Sequence, residues 1–174
     1  MNKKNRISHT MELPRQIVVG ERNIELVGEF LTSLSKLKKV SIISGKNVKK
    51  IVGKQIDQSL KDAKISAVWH LATSNQVKDT LAIQKKVKST KSDVIIGLGG
   101  GRSVDIAKLC AFNLKKPFVS IPTSASHDGI ASPFVSVRSE KPHSLVATAP
   151  LGVFVDLDIS KKRLRNYWQV DAAI

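Results

Sequence analysis

Apolar residues along this chain switch repeatedly between two spacings, and that alternation limits the folds open to it. Short apolar, often β-branched runs stop at glycine, serine or a charged residue. Each is then followed by apolar residues three or four positions apart. Gln16–Gly20 is such a run, with Ile24, Val27, Phe30, Leu31 and Leu34 following at helical spacing. Lys39–Ser44 ends at Gly45, ahead of Val48, Ile51, Val52, Ile56 and Leu60. Ile65–Leu71 predicts a third strand, and Val77–Val87 a helix with Leu81 on its apolar side. Asp93–Leu98 predicts a strand stopped by three glycines, before a helix through Ser103, Ile106, Ala107, Cys110 and Leu114 and a strand at Pro117–Ile121. Strands alternating with helices of this length require crossover connections. The expected fold class is therefore α/β, a parallel sheet covered on both faces. From Phe134 onward the runs shorten to Phe134–Val137, Ser144–Thr148 and Val153–Val155, which predicts a small hairpin region.

The 174 residues suit one ordinary domain or slightly more, and 41% hydrophobic with 25% charged residues suits a folded core rather than disorder. The longest apolar runs are strand-sized, and Met1–Thr10 is polar and basic. Neither a membrane span nor a secretory leader is expected, which places the chain in the cytoplasm. The single cysteine, Cys110, sits in an apolar stretch and is expected as a buried packing thiol. Lys and Arg number 29 against 14 Asp and Glu, a net charge of +15 that points to an anionic partner. Thirteen of those cations fall between Lys36 and Lys88, spread over predicted strands and helices, and aromatics are only 5%. A nucleic-acid groove would cluster the charge and interleave aromatics, so solvated lysines on helix faces are favoured and no nucleic-acid partner is expected. A small phosphorylated ligand fits either view.

Chemistry concentrates after two of the predicted strands, where parallel sheets bind ligands. The first segment is Gly97-Leu98-Gly99-Gly100-Gly101-Arg102-Ser103-Val104-Asp105, with Lys108 one helical turn on. Three consecutive glycines remove every Cβ where strand becomes helix. Backbone can then approach a pyrophosphate with its N–H groups facing the oxygens. A plain tight turn is the competing reading, and Asp105 in the first helical turn is explained by the helix dipole alone. The strand before and the helix after favour phosphate binding. The second segment is Pro122-Thr123-Ser124-Ala125-Ser126-His127-Asp128-Gly129-Ile130-Ala131-Ser132-Pro133. Its small hydroxyl residues supply donors for ribose or phosphate, two prolines stiffen its ends, and Asp128 can hold a substrate hydroxyl. His127 reads either as a general base or, more ordinarily, as a histidine packed beside a loop.

These two segments, GGGRSVDIAK and PTSASHDGIASP, resemble the sn-glycerol-1-phosphate dehydrogenase family, as do MELPRQIVVG and TAPLGVFVDLDI, so the resemblance covers roughly residues 11 to 159. Glycerol dehydrogenase and 3-dehydroquinate synthase share the fold and the triple glycine, and differ around the aspartate of the second segment. The resemblance implies a Rossmann-like nucleotide-binding domain and reduction of dihydroxyacetone phosphate to sn-glycerol 1-phosphate with NADH or NADPH, for archaeal membrane lipids. It implies NAD or NADP contacts at Gly99, Gly100, Gly101, Arg102, Ser103, Val104 and Asp105, at Thr123, Ser124, Ala125 and Ser126, and at Ser132, with Asp128 contacting substrate. A homo-oligomer is implied for the intact enzyme. Where a second-strand carboxylate ordinarily holds the adenosine ribose, this chain has Ser44-Gly45-Lys46. With no acid and a lysine nearby, NADPH is expected to bind at least as well as NADH.

The C-terminus departs from the family. The resemblance implies a second, helical domain with zinc ligands, where the metal acts as a Lewis acid on the carbonyl. That domain is expected to be missing, leaving no catalytic or metal residue in this chain. After VDLDI the family carries a stretch like LLASGCGD, whose last residue binds zinc, whereas this chain ends Tyr167-Trp168-Gln169-Val170-Asp171-Ala172-Ala173-Ile174. The codons TTA CTG GCA AGT GGA TGC GGC GAT spell the family stretch and, read one base later as TAC TGG CAA GTG GAT GCG GCG ATN, spell this tail once one further base completes the last codon. The expected organisation is an NAD(P)-binding α/β domain at residues 1–159 and an aberrant, frameshifted tail at 160–174. Asp171 is then an accidental aspartate, and the chain itself is expected to be an inactive fragment. The alternatives are a glycerol dehydrogenase, a 3-dehydroquinate synthase, or a basic nucleic-acid-binding module with steep salt dependence.

Overall fold

The computed structural model describes residues 12–74, 76–124, 130–137 and 143–161. In chain order the elements are β1 (Gln16–Gly20), a 3₁₀ turn (Asn23–Leu26), α1 (Val27–Leu34), β2 (Lys39–Ser44), α2 (Lys46–Asp62), β3 (Ser66–Leu71) and α3 (Val77–Thr90). They continue with β4 (Val94–Gly99), α4 (Gly101–Leu114), β5 (Phe118–Pro122), β6 (Phe134–Val137), β7 (His143–Val146) and β8 (Gly152–Asp156). Six strands form one parallel sheet in the order β1-β8-β5-β4-β2-β3. Strands β6 and β7 form a separate antiparallel pair, with Phe134 opposite Val146.

The period-two alternation of the strands sorts the core into two layers. Val40 and Ile42 of β2 and Val94, Ile96 and Leu98 of β4 meet Val27, Phe30 and Leu31 of α1 and Val52, Ile56 and Leu60 of α2. Ile43 and Ile95 point to the opposite face, where they pack with Ile83 and Val87 of α3 and Ala107 and Cys110 of α4. Strand β4 is buried throughout because helices cover both of its faces, which explains its unbroken apolar run. At Gly97 helix α4 lies directly on the sheet. A Cβ there would come within 3.0 Å of both the Ala107 Cβ and the Val104 Cα, and 3.1 Å from the Phe118 ring.

Several faces differ from the sequence reading. Val153–Val155 does not join the hairpin: β8 lies inside the parallel sheet between β1 and β5. Its apolar run suits either setting, and only long-range pairing distinguishes them. Ile51 and Leu81 are exposed, because α2 turns Val52 and Ile56 inward and α3 turns Thr80, Ile83 and Val87. Helices α3 and α4 end on lysines rather than glycines. Lys91 and Lys115 adopt left-handed φ values of 52° and 51°, and Lys64, one residue past the cap of α2, has 58°. The chain turns helical again at residues 157–161, under Asp156, which is 2% exposed. The Asp156 carboxylate accepts from the Asp158 and Ile159 N–H groups and, across the chain, from the Ile24 N–H at 2.8 Å. Among the described residues no helix is long and apolar enough to cross a membrane.

Candidate functional site

The strand order places a topological switch between β2 and β4. From β2 the chain crosses through α2 to β3 on one side, whereas from β4 it crosses through α4, on the opposite face, to β5 on the other. Diverging connections of this kind leave a crevice beyond the carboxyl ends of the two strands. Register aligns its walls, since Ser44 pairs with Leu98, Leu98 with Ile121 and Gly99 with Pro122. The Ser44-Gly45-Lys46 turn, the glycine triplet and the Thr123 segment therefore all leave from the same edge of the sheet.

Gly99 holds φ at 140°, a conformation that L side chains rarely adopt, and a Cβ there would lie 3.0 Å from the Ser103 Oγ. Gly100 is the N-cap of α4, and its carbonyl accepts from the N–H groups of Ser103 and Val104. The turn therefore presents bare backbone at the start of a 14-residue helix, where first-turn N–H groups and the helix dipole attract anions. The second segment is stitched onto it, because the Thr123 N–H donates to the Gly99 carbonyl at 2.9 Å and Thr123 is 2% exposed. The Arg102 guanidinium is exposed and donates to the Thr73 carbonyl at 3.0 Å, binding the turn to the loop after β3.

Of the residues singled out from sequence, Gly99, Gly100, Gly101, Arg102 and Ser103 come together with Thr123 and Ser124 at this edge. Val104 packs its side chain into the core beneath the turn, leaving only its backbone near the crevice. Asp105 is buried and faces β6, where it accepts from the Ser136 N–H at 3.3 Å. Ser132 is half-buried just before β6. Ala125, Ser126, His127 and Asp128 lie outside the described residues, as do residues 162–174 with Asp171.

The residue that sequence reasoning undervalued is Lys108. It is fully buried, and its Nζ donates to the carbonyls of Ser132 at 2.7 Å and Phe134 at 2.8 Å. Burial pulls its ammonium down to about 8, against the opposing pull of Asp105. A cation inside the apolar run Ile106–Phe112 was the available signal. Cys110, two residues further on, is the expected buried packing thiol, pushed up to about 12 by burial.

A family model for iron-containing alcohol dehydrogenases matches residues 18–163. The chain belongs to the iron-containing alcohol dehydrogenase family. Within it, the chain is 64% identical over 155 residues to a glycerol-1-phosphate dehydrogenase [NAD(P)+] of Nitrosopumilus maritimus, a match covering 89% of this chain and 44% of the relative. It is 54% identical to the protein of the same name from Cenarchaeum symbiosum, with the same coverage. The chain thus spans less than half the length of these relatives. Among solved structures, the NADH-dependent butanol dehydrogenase A of Thermotoga maritima superposes with a TM-score of 0.78 at 19% identity, over 88% of this chain and 45% of that one. That likeness establishes the family's α/β fold.

The family's description implies a metal, and the described residues do not fit one. Nowhere among them do three His, Cys, Asp or Glu side chains converge. The glycine turn, by contrast, is a cradle of backbone donors that a Cβ at Gly99 would obstruct, and it fits a dinucleotide.

Proposed function

We propose that this chain is the NAD(P)H-binding part of an sn-glycerol-1-phosphate dehydrogenase, an enzyme that reduces dihydroxyacetone phosphate to sn-glycerol 1-phosphate for archaeal membrane lipids. The observation that carries the reading is the side-chain-free turn Gly99–Gly101 at the β2/β4 switch, with Thr123 bonded onto it. The names of the two relatives, both marked NAD(P)+, support the cofactor and the substrate.

In this reading the backbone of Gly99, Gly100 and Gly101 receives the pyrophosphate, with Arg102 and Ser103 beside it. Val104 and Asp105 hold the first turn of α4 in place. Thr123, Ser124 and Ser132 line the opposite wall, Ala125 and Ser126 belong to the same set of cofactor contacts, and Asp128 receives the substrate. When bound, the reduced nicotinamide supplies the hydride for the carbonyl carbon. No step through a metal is assigned to residues of this chain. Residues 1–159 form the nucleotide-binding domain, and the tail at 160–174 is read as a frameshifted stretch. A cytoplasmic location and a homo-oligomeric intact enzyme belong to the same reading.

The test is fluorescence titration of the 174-residue chain with NADPH and NADH, beside the Gly99→Val variant. Saturable binding that weakens at least about tenfold in the variant is expected, since a β-branched side chain is strained at that φ and its Cβ would crowd the Ser103 side chain at the turn. Absence of saturable binding to the parent chain would overturn the proposal. Sequencing the coding DNA from the Val155 codon past the last codon, in all three frames, tests the tail. The uninterrupted gene product is then assayed with dihydroxyacetone phosphate against unphosphorylated dihydroxyacetone, which separates this activity from that of a glycerol dehydrogenase.

A further inference from the structure

Lys108 is the one buried lysine among the described residues, and its Nζ donates to two backbone carbonyls. Taking an ammonium out of water is strongly unfavourable before its contacts are counted, and an apolar side chain of the same length would not carry that penalty. A cation retained there calls for a role other than core packing. Both carbonyls belong to the short stretch Ser132–Phe134 that returns the chain to β6. That stretch is also held by the Ala147 N–H on the Pro133 carbonyl at 2.8 Å, and β6 by the Ser136 N–H on Asp105. The opposite end of the second segment is fixed independently, by Thr123 on Gly99. Helix α4 begins at the glycine turn and carries Asp105 and Lys108 on the side facing β6. One rigid helix therefore connects the phosphate cradle to the point where the second segment ends.

We propose that Lys108 is a positioning residue that clamps the Ser132–Phe134 stretch to α4 and so fixes the second wall of the crevice relative to the glycine turn. The clamp deepens the nucleotide-site reading and rests on it for its purpose, but its mechanical part is measurable without nucleotide. Both contacts from Lys108 are to backbone carbonyls, so this hold on the wall does not require particular side chains at Ser132 and Phe134. Holding one end of the segment to α4 through Lys108 and the other to the end of β4 at Gly99 lowers the conformational freedom that a ligand would otherwise have to remove on binding.

The test compares the parent chain with Lys108→Met and Lys108→Gln by amide hydrogen exchange without ligand and by NADPH titration. The Ala147 and Ser136 N–H groups report on the clamp, and the amides of α1 and α2, packed on the other face of the sheet, report on global stability. In K108M, exchange at Ala147 and Ser136 is expected to accelerate by about tenfold to a hundredfold while α1 and α2 keep their protection. NADPH affinity falls with it. K108Q, which keeps an N–H donor, is expected to recover part of both effects. Unchanged exchange at Ala147 and Ser136 overturns the proposal. So does acceleration spread equally over α1 and α2, or failure of both variants to fold, since either makes Lys108 an element of global stability. If the parent chain binds no NADPH but the local exchange pattern appears as described, the clamp stands and the nucleotide reading fails.

Discussion

Replacing Gly97 with alanine adds one methyl group at the closest approach of α4 to the sheet. The new Cβ meets three atoms at 3.0–3.1 Å, and they belong to different parts of the fold: the backbone of α4 at Val104, a side chain of α4 at Ala107 and the ring of Phe118 on β5. None is the free end of a flexible side chain, so relief at one contact tightens another unless α4 moves as a whole. Overpacking of this kind destabilises by roughly 1–3 kcal/mol. For a domain of this size about 2 kcal/mol corresponds to a fall in Tm of roughly 4–8 °C. Because α4 begins at the glycine turn, its displacement should also weaken the proposed NADPH binding. The assay is thermal and urea unfolding of the parent, G97A, A107G and the double variant. Ala107→Gly removes one of the three contacts, so the double variant should be more stable than the sum of the single effects predicts, by about 0.5–1 kcal/mol or more. If G97A unfolds within about 0.5 kcal/mol of the parent and the double variant is additive, the close approach does not constrain α4 and the reasoning fails.

Three further outcomes follow from individual sites. Lys46→Glu, at the carboxyl end of β2, should weaken NADPH binding relative to NADH by about tenfold, and an unchanged ratio of the two dissociation constants would remove Lys46 from the ribose site. Cys110, buried with its thiol pushed up to about 12, should resist thiol reagents at pH 8 in the folded chain and react fully in urea; rapid labelling of the folded chain would contradict its burial. His70, on β3, has its pKa held below the ordinary 6.5, mainly by burial and then by Lys86, and it faces Ser41 at 3.2 Å. The unfolded chain therefore takes up this proton first. The stability it contributes is present above about pH 6.5 and declines as pH falls below that value, and His70→Gln should flatten that part of the urea-midpoint profile.

The many lysines along the chain show how composition alone misleads. Their number suggests an anionic surface ligand, yet the lysine with the most specific surroundings, Lys108, is the one among the described residues that no solvent reaches. Its burial follows from the return of residues 132–134 over α4, a contact between positions 24 and 26 residues apart that no local window contains. The same limit explains the lysines at the helix ends. Lys91 and Lys115 take the left-handed conformation that glycine usually supplies, so no glycine marks those helix boundaries.

The sequence by itself determined the α/β class, the strands and helices from β1 to β5, and the glycine turn, because each is written in residues close enough to share one period or one bend. It also carried the hydroxyl-rich segment after β5 and the family resemblance, since both lie in short contiguous runs. The tertiary structure decided what depends on distant partners. It placed β8 inside the parallel sheet instead of in a hairpin, turned Ile51 and Leu81 to solvent, and buried Lys108 beneath the second segment. An apolar run or a lone cation has the same local preference in either setting, and only the elements packed against it determine which setting is lower in free energy.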